Sequence, residues 1–192
     1  MDCTKPDVIM LQETLGDRDV IKVMLESLLP GWEFEALDAR GRSGGLAMGW
    51  HLRVCKYEKL FGFDSGLGVK LFSREFGKTL MVINIYGFYS NRVDYWNDLL
   101  NKSIIKDNWV VMGGDLNLSL GAAEIWGPKA IPYPLAYFFV GAFSRSGLVD
   151  IAPERLNATW RNRRAVENKV VKRLDRFLID ERLVETLHFV RH

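Results

Sequence analysis

Short apolar runs follow one another in this chain with no helix between them. Trp32–Leu37, Leu46–Trp50, Val54–Leu60, Leu67–Phe72 and Leu80–Ile85 each read as a strand, and the segments separating them are turn-sized. A parallel pair needs a crossover of a dozen or more residues, usually a helix, whereas an antiparallel pair needs only a turn. A doubly wound parallel fold is therefore excluded over this half of the chain. Helical spacing is confined to three places. Val20, Ile21, Val23, Met24, Leu25, Ser27 and Leu28 follow a capping Asp17 and stop at Pro30-Gly31. Trp96, Leu99, Leu100, Ser103 and Ile104 follow a cap near Asn91, and Leu135, Phe138, Phe139, Ala142 and Phe143 are stopped by Gly147. Val8–Leu11 is expected as a buried strand and Arg173–Ile179 as the last one. The pattern predicts an α/β (α+β) fold of packed, mainly antiparallel sheets with helices outside.

The 192 residues are 48% hydrophobic and 26% charged, enough for one sizeable globular domain. A net charge of +2 is too small to argue by itself for nucleic-acid binding. No apolar stretch is long enough to span a bilayer, and Met1 to Lys5 does not read as a signal peptide, so an intracellular and potentially nuclear protein without membrane association is expected. Cys3 and Cys55 lack metal spacing and read as free thiols of a reducing compartment. No obligate protein partner is evident.

The polar residues that interrupt apolar runs fall at strand ends: Glu13, Asn84 with Tyr86, Asp115 with Asn117, and Asp175. In Trp109 to Leu120, "WVVMGGDLNLSL", a buried strand runs into two glycines and then presents a carboxylate and a carboxamide two residues apart. If extended geometry persists through Leu116, Asp115 and Asn117 point the same way. Such a pair suits a hard cation, or a water held against a phosphate; Gly, Asp and Asn are also ordinary turn formers. Taken singly, Glu13 is a solvated acid or a cation ligand, and Tyr86 an aromatic at a sheet rim or a donor to a phosphate. Asp175, between Arg173 and Arg176, reads equally as a member of a structural ion pair.

Glu13 after a strand, "NIYG", "GGDLNL", "TWRN" and "RLDRFLI" occur in the order of the endonuclease/exonuclease/phosphatase superfamily, which the sequence resembles. "RGRSGGLAMGW", "AEIWGPKAIPYPLAYFF" and "SGLVDIAP" are similar to the endonuclease domain of plant LINE-type (non-LTR) retrotransposons. The resemblance runs from about Pro6 to near the C-terminus. It implies a four-layered α/β sandwich like that of deoxyribonuclease I, and metal-assisted hydrolysis of a phosphodiester, with Mg²⁺ as cofactor and Mn²⁺ as the alternative. Glu13 matches the family's metal-binding glutamate and Tyr86 the tyrosine that contacts the scissile phosphate. Asp115 matches the aspartate that orients or deprotonates water, and Asn117 the asparagine that stabilises the transition state. Asp175 matches the aspartate that supports the catalytic histidine. DNA is the implied partner, held by its phosphate backbone on the basic segment containing Arg161, Arg163, Arg164, Lys172 and Arg173.

The family also has an asparagine-bearing strand before the metal-binding glutamate and a Ser-Asp-His motif on a late strand. Residues 1–192 are expected as one domain without either piece, because Met1 lies too close to Val8 and neither His188 nor His192 follows Ser-Asp. His51 is expected at the surface. Endonuclease action is the leading functional expectation, weakened by the missing groups. A remnant that at most binds nucleic acid or metal weakly, and a small-molecule or lipid phosphodiesterase on the same fold, are the alternatives.

Overall fold

A computed structural model describes residues 5–40, 43–63 and 65–190, with the side chains of 40, 43 and 187–190 left aside. The chain divides into two compact units, Met1–Tyr86 and Gly87–His192.

The first unit carries β1 (Val8–Gln12), α1 (Arg18–Leu28), β2 (Trp32–Arg40), β3 (Ser43–His51), β4 (Cys55–Phe63), β5 (Gly66–Ser73) and β6 (Lys78–Ile85). One sheet has the order β1-β3-β2, and β4, β5 and β6 form successive hairpins; every pairing is antiparallel, as the short connections require. Asp17 caps α1 as its position predicts, accepting from the N–H groups of Asp19 and Val20. Helix α1 covers one face of β1-β3-β2, where Leu25, Phe34, Ala36 and Ala47 are buried with Ile21 and Leu11 against them. Alternation along β3 puts Trp50 on the opposite face, where it is fully buried and stacks on Tyr57 of β4 at 5.5 Å. Burial of side chains this large stabilises the unit by about 1.5–3 kcal/mol each. Val8–Leu11 is not the buried strand expected: β1 lies at the end of its sheet, pairs only with β3, and is half-buried throughout.

Asn84 ties the two sheets of this unit together. It is fully buried on β6, in the otherwise apolar buried run Leu80–Ile85. Its amide donates to the Leu11 carbonyl of β1 at 3.0 Å and the Ala47 carbonyl of β3 at 2.9 Å, and its oxygen accepts from Gln12. A buried amide costs free energy unless its donors and acceptor are met, and here they are met only when β1 and β3 sit at this height above β6. Cys55 is a buried free thiol, as expected; burial and Asp7 raise its pKa and Arg74 opposes them. Cys3 lies outside the described residues. His51 is half-buried rather than at the surface, edge-on to Trp32 at 5.5 Å.

The second unit carries α2 (Arg92–Asn101), α3 (Ser103–Lys106), β7 (Trp109–Asp115), β8 (Ile125–Trp126), α4 (Ala136–Arg145), β9 (Leu148–Asp150), β10 (Trp160–Arg161), β11 (Val171–Lys172), β12 (Asp175–Asp180) and α5 (Glu181–Val190). Strand β12 pairs antiparallel with β7 on one side and β9 on the other, and β10-β11-β8 form a small separate sheet. The apolar faces of α2 and α4 meet through Trp96, Phe139 and Phe143, edge-to-face at 5.2–6.1 Å. Gly147, at φ 63, ends α4 as expected. Asn91 stands at the N-cap of α2 but its side chain makes no capping bond, and Lys102 in extended conformation splits the expected second helix into α2 and α3. Among the described residues no helix is long and apolar enough to cross a membrane.

Replacing Asn84 by leucine removes three buried hydrogen bonds, so unfolding in urea should require about 2–4 kcal/mol less than for the wild type. A loss well under about 1 kcal/mol would show that Asn84 does not hold the sheets.

Candidate active site

Strand β7 ends at Asp115, and the β7–β12 register sets Asp175 directly opposite it. Directly opposite residues of an antiparallel pair share a face, so two carboxylates stand side by side at one end of this sheet. Asp175 is exposed and Asp115 half-buried. The chain then turns instead of continuing as a strand. Asp115 Oδ1 accepts the backbone N–H of Asn117 at 2.9 Å, and Asn117 adopts left-handed backbone at φ 53. Leu116 is buried, as expected, but Asn117 does not present its carboxamide alongside Asp115 as extended geometry would require. That carboxamide is buried, and its Nδ2 donates to the Gly87 carbonyl at 2.8 Å. Gly87 N–H returns a bond to the Asp115 carbonyl at 2.7 Å. Only glycine fits there, because a Cβ would strike the Leu116 carbonyl. Thr159, in the "TWRN" segment, secures the start of β12 by accepting the N–H groups of Leu174 and Asp175 at 2.9 and 3.0 Å.

The arginines flanking Asp175 are not surface groups. Arg173 and Arg176 are both 2% exposed and share two carboxylates. Arg173 reaches Glu124 at 2.6 Å and Asp150 at 2.8 Å, and Arg176 reaches the same two at 2.8 and 3.0 Å. Burial by itself would raise the Glu124 carboxyl, but hydrogen bonds from Arg176 and the Leu120 N–H, with Arg173 beside them, outweigh it and hold the group below the usual carboxylate range. Burial by itself would lower Arg173, but its bonds to Asp150 and Glu124 overcome that and hold it above its ordinary value. This corrects the expectation that Arg173 contacts DNA: its charge is satisfied inside the protein. Of the basic segment, Arg161, Arg163 and Arg164 are exposed, and Lys172 is half-buried with its ammonium 5.9 Å from the Trp160 ring centroid.

In the first unit, Glu13 follows β1 in left-handed backbone at φ 55, and Leu15 at φ 54 repeats it. Two non-glycine residues held this way store of order 1–3 kcal/mol each, which the surroundings must over-determine. The segment is held by bonds from the N–H groups of Thr14 and Leu15 to the carbonyls of Gly45 and Gly44. Gly45, at φ 80, leaves the space that Thr14 Oγ1 occupies. Glu13 is exposed and accepts the Tyr86 hydroxyl at 2.6 Å. Glu13 and Tyr86, far apart in sequence and each picked out at a strand end, are thus brought into contact. His188 and His192 lie outside the described side chains.

Against known protein families the outcome is direct. The match to the endonuclease/exonuclease/phosphatase family model spans residues 4–191. The chain belongs to the endonuclease/exonuclease/phosphatase family. No curated protein matches it by sequence. Among solved structures it is similar to the endonuclease domain of TRAS1, a telomere-specific non-LTR retrotransposon, at 13% identity and TM-score 0.66, over 93% of this chain and 75% of that one. It is similar to the 3' phosphatase NExo from Neisseria bound to a product DNA hairpin, at 19% identity and TM-score 0.69, over 95% and 79%. It is also similar to the AP endonuclease LMAP from Leishmania major, at 16% identity and TM-score 0.69, over 94% and 71%. These likenesses establish a deoxyribonuclease I-like α/β fold, mixed sheets flanked by helices.

Glu124 and Asp150 were not legible as site-supporting residues. They lie 26 positions apart by their numbers, in "AEIWG" and "LVDIA", and no spacing rule links either to Arg173 or Arg176. Charge balance was the available signal: two arginines placed on a strand that must be buried demand two acids from elsewhere.

Glu124→Gln should lower the unfolding free energy at neutral pH by about 3–5 kcal/mol, since it leaves two buried guanidinium groups with one carboxylate. Because the Glu124 carboxyl is depressed in the folded state, its contribution is complete above its ordinary value and is lost as pH falls through the depressed one. The gap between variant and wild type in urea unfolding should therefore close towards acid pH; a gap independent of pH would exclude this role.

Proposed function

We propose that the protein is a divalent-metal-dependent phosphodiester hydrolase acting on DNA, of the kind found in retrotransposon endonuclease domains. The observation that carries this reading is the facing pair Asp115 and Asp175, with Asp115 closing the turn at Asn117. Like charges directly opposite on paired strands are destabilising by themselves, which favours a functional reading of this pair. Family membership and the likeness to a retrotransposon endonuclease domain support the substrate class.

Members of the family generally depend on a divalent metal. The donor chemistry here fits one: Glu13 is exposed and offers the hard carboxylate oxygen that such a cation prefers. Among the described residues no cluster of three or more His, Cys, Asp or Glu forms a dedicated cage, and Mg²⁺ is ordinarily held by one or two carboxylates and its own waters. In this reading Glu13 holds the metal, with Mn²⁺ able to replace Mg²⁺, and the metal when bound offsets charge on the phosphate oxygens. Tyr86, oriented by its bond to Glu13, donates to a phosphate oxygen. Asp115 orients the attacking water and takes its proton. Asn117 offers the transition state the side-chain N–H that Gly87 does not use. Asp175 stands opposite Asp115 and matches the aspartate that supports the family's acid/base histidine. Arg161, Arg163, Arg164 and Lys172 hold the DNA backbone.

Supercoiled plasmid tests the chemistry. Nicking should require Mg²⁺ or Mn²⁺, stop with chelator, and fall by about 10²-fold or more in Asp115→Ala. Metal-dependent nicking that survives Asp115→Ala overturns the assignment. Weaker Mn²⁺ binding by Glu13→Gln, read by electron paramagnetic resonance, checks the metal ligand without reference to turnover. For the backbone contacts, duplex binding should weaken as salt rises, and Arg163→Ala with Arg164→Ala should reduce the slope of log affinity against log salt by about 0.9 per lost phosphate contact. An unchanged slope would remove these residues from the interface.

A further inference from the structure

An open groove of about 450 Å³ lies in the second unit between the start of α2 and the segment that leads into α4. Its volume is in the range of roughly 300–1,000 Å³ that suits a small ligand or a single nucleotide. Tyr89 and Tyr133 line it, with Arg92 between them and Val93 and Pro134 at the sides. The ring of Tyr133 is backed by Phe139, a fully buried residue of α4, in a stacked pair at 6.1 Å. The ring of Tyr89 is 69% exposed. The Arg92 guanidinium stands 5.5 Å from the Tyr133 ring centroid and 6.0 Å from that of Tyr89.

Arg92 is the unusual member. It donates to the Tyr133 hydroxyl at 2.6 Å, the Tyr89 carbonyl at 3.2 Å and the Asn117 carbonyl at 2.8 Å, all neutral acceptors. Among the described residues it forms no ion pair with a carboxylate, although Asp94 also lines the groove. Elsewhere in this unit the half-buried or buried arginines are neutralised by acids. A guanidinium held rigidly by neutral groups keeps its full charge for an anion, and two aromatic faces beside it suit a flat π-system. One of its bonds ends on the backbone carbonyl of Asn117, which ties the groove to a candidate site residue of the same unit.

We propose that this groove is a nucleobase subsite. It takes one unstacked base of single-stranded DNA against Tyr89 and Tyr133, with the adjoining phosphate drawn to Arg92. The inference rests on the reading of the protein as a DNA hydrolase and extends it: the enzyme engages a locally unpaired strand, and the base beside the scissile phosphate is held by stacking, which tolerates any base identity. The platform is pre-formed, because Phe139 fixes one ring from behind and Arg92 fixes the hydroxyl of that ring.

The test uses the protein in chelator, so that hydrolysis does not enter. Two single-stranded oligodeoxynucleotides of equal length serve as probes, one carrying bases and one with abasic spacers at successive positions; a fluorescent adenine analogue reports stacking. The base-carrying strand should bind about 10-fold or more tightly than the abasic one, with quenching of the analogue. Tyr89→Leu should abolish that difference and the quenching while leaving binding of the abasic strand unchanged, and Tyr133→Leu should abolish the same difference. Tyr133→Phe, which keeps the ring, should stay within about two-fold of wild type. Tyr89 is exposed enough that its replacement leaves the fold intact, which circular dichroism checks. Equal affinity for the two strands, or a base preference that survives Tyr89→Leu and Tyr133→Leu, overturns the subsite. Failure of the hydrolase reading is separate: it shows as plasmid nicking indifferent to metal or to Asp115→Ala, whatever the binding result.

Discussion

Two buried guanidinium groups sharing two carboxylates hold the candidate site residues of the second unit in place. Arg173 and Arg176 enclose Asp175 in sequence, and Glu124 and Asp150 receive both of them. A quartet of this kind balances its own charge, so its desolvation is tolerable only while all four members are present. It joins β9, β12 and the turn at Ala122–Glu124, elements that are remote in sequence. Strand alternation then does the rest: Arg176 points inward and its neighbour Asp175 points outward, opposite Asp115. The carboxylate pair is thus a consequence of where the arginines are buried.

The first unit solves the same problem with neutral groups. Asn84 spans from β6 to the backbones of β1 and β3, and its partner Gln12 immediately precedes Glu13. The position of Glu13 against Tyr86 is therefore set within two residues of a buried polar hub. Left-handed backbone marks the same places: the non-glycine residues with positive φ are Glu13, Leu15, Asn91 and Asn117 among the described residues. Two are candidate site residues and Asn91 precedes the Arg92 of the aromatic groove. Strain of this sort persists where surrounding contacts over-determine it, and it collects at functional sites.

Most of the strands and the three amphipathic helices were legible because each depends on a local pattern. Asp17 and Gly147 were readable as helix boundaries for the same reason, since capping is decided within one turn. Asn91 was not: the residue type was right for a cap, but its side chain does not bond the helix. The short strands β8, β10 and β11 were missed because two residues carry no period; they exist only through one another. Helix α5 follows β12 without a break, so no turn residue announced it. At the site, Glu13, Tyr86, Asp115, Asn117 and Asp175 stood out by position at strand ends and by motif order. The basic run around Arg173 misled because sequence shows charge without showing which charges are already paired.

By itself, the sequence determined the hairpin order of the first sheets, the helix boundaries at Asp17 and Gly147, and the family, because alternation, capping and motif order are properties of neighbours along the chain. Only the tertiary structure decided that Asp175 faces Asp115, that Glu13 meets Tyr86, that Asn117 turns its amide to Gly87, and that Arg173 belongs to the interior while Arg92 keeps its charge. Each of those rests on register or on a pairing between distant residues. Register is selected by burial and hydrogen bonding summed over a whole strand, a quantity that no short stretch of sequence contains.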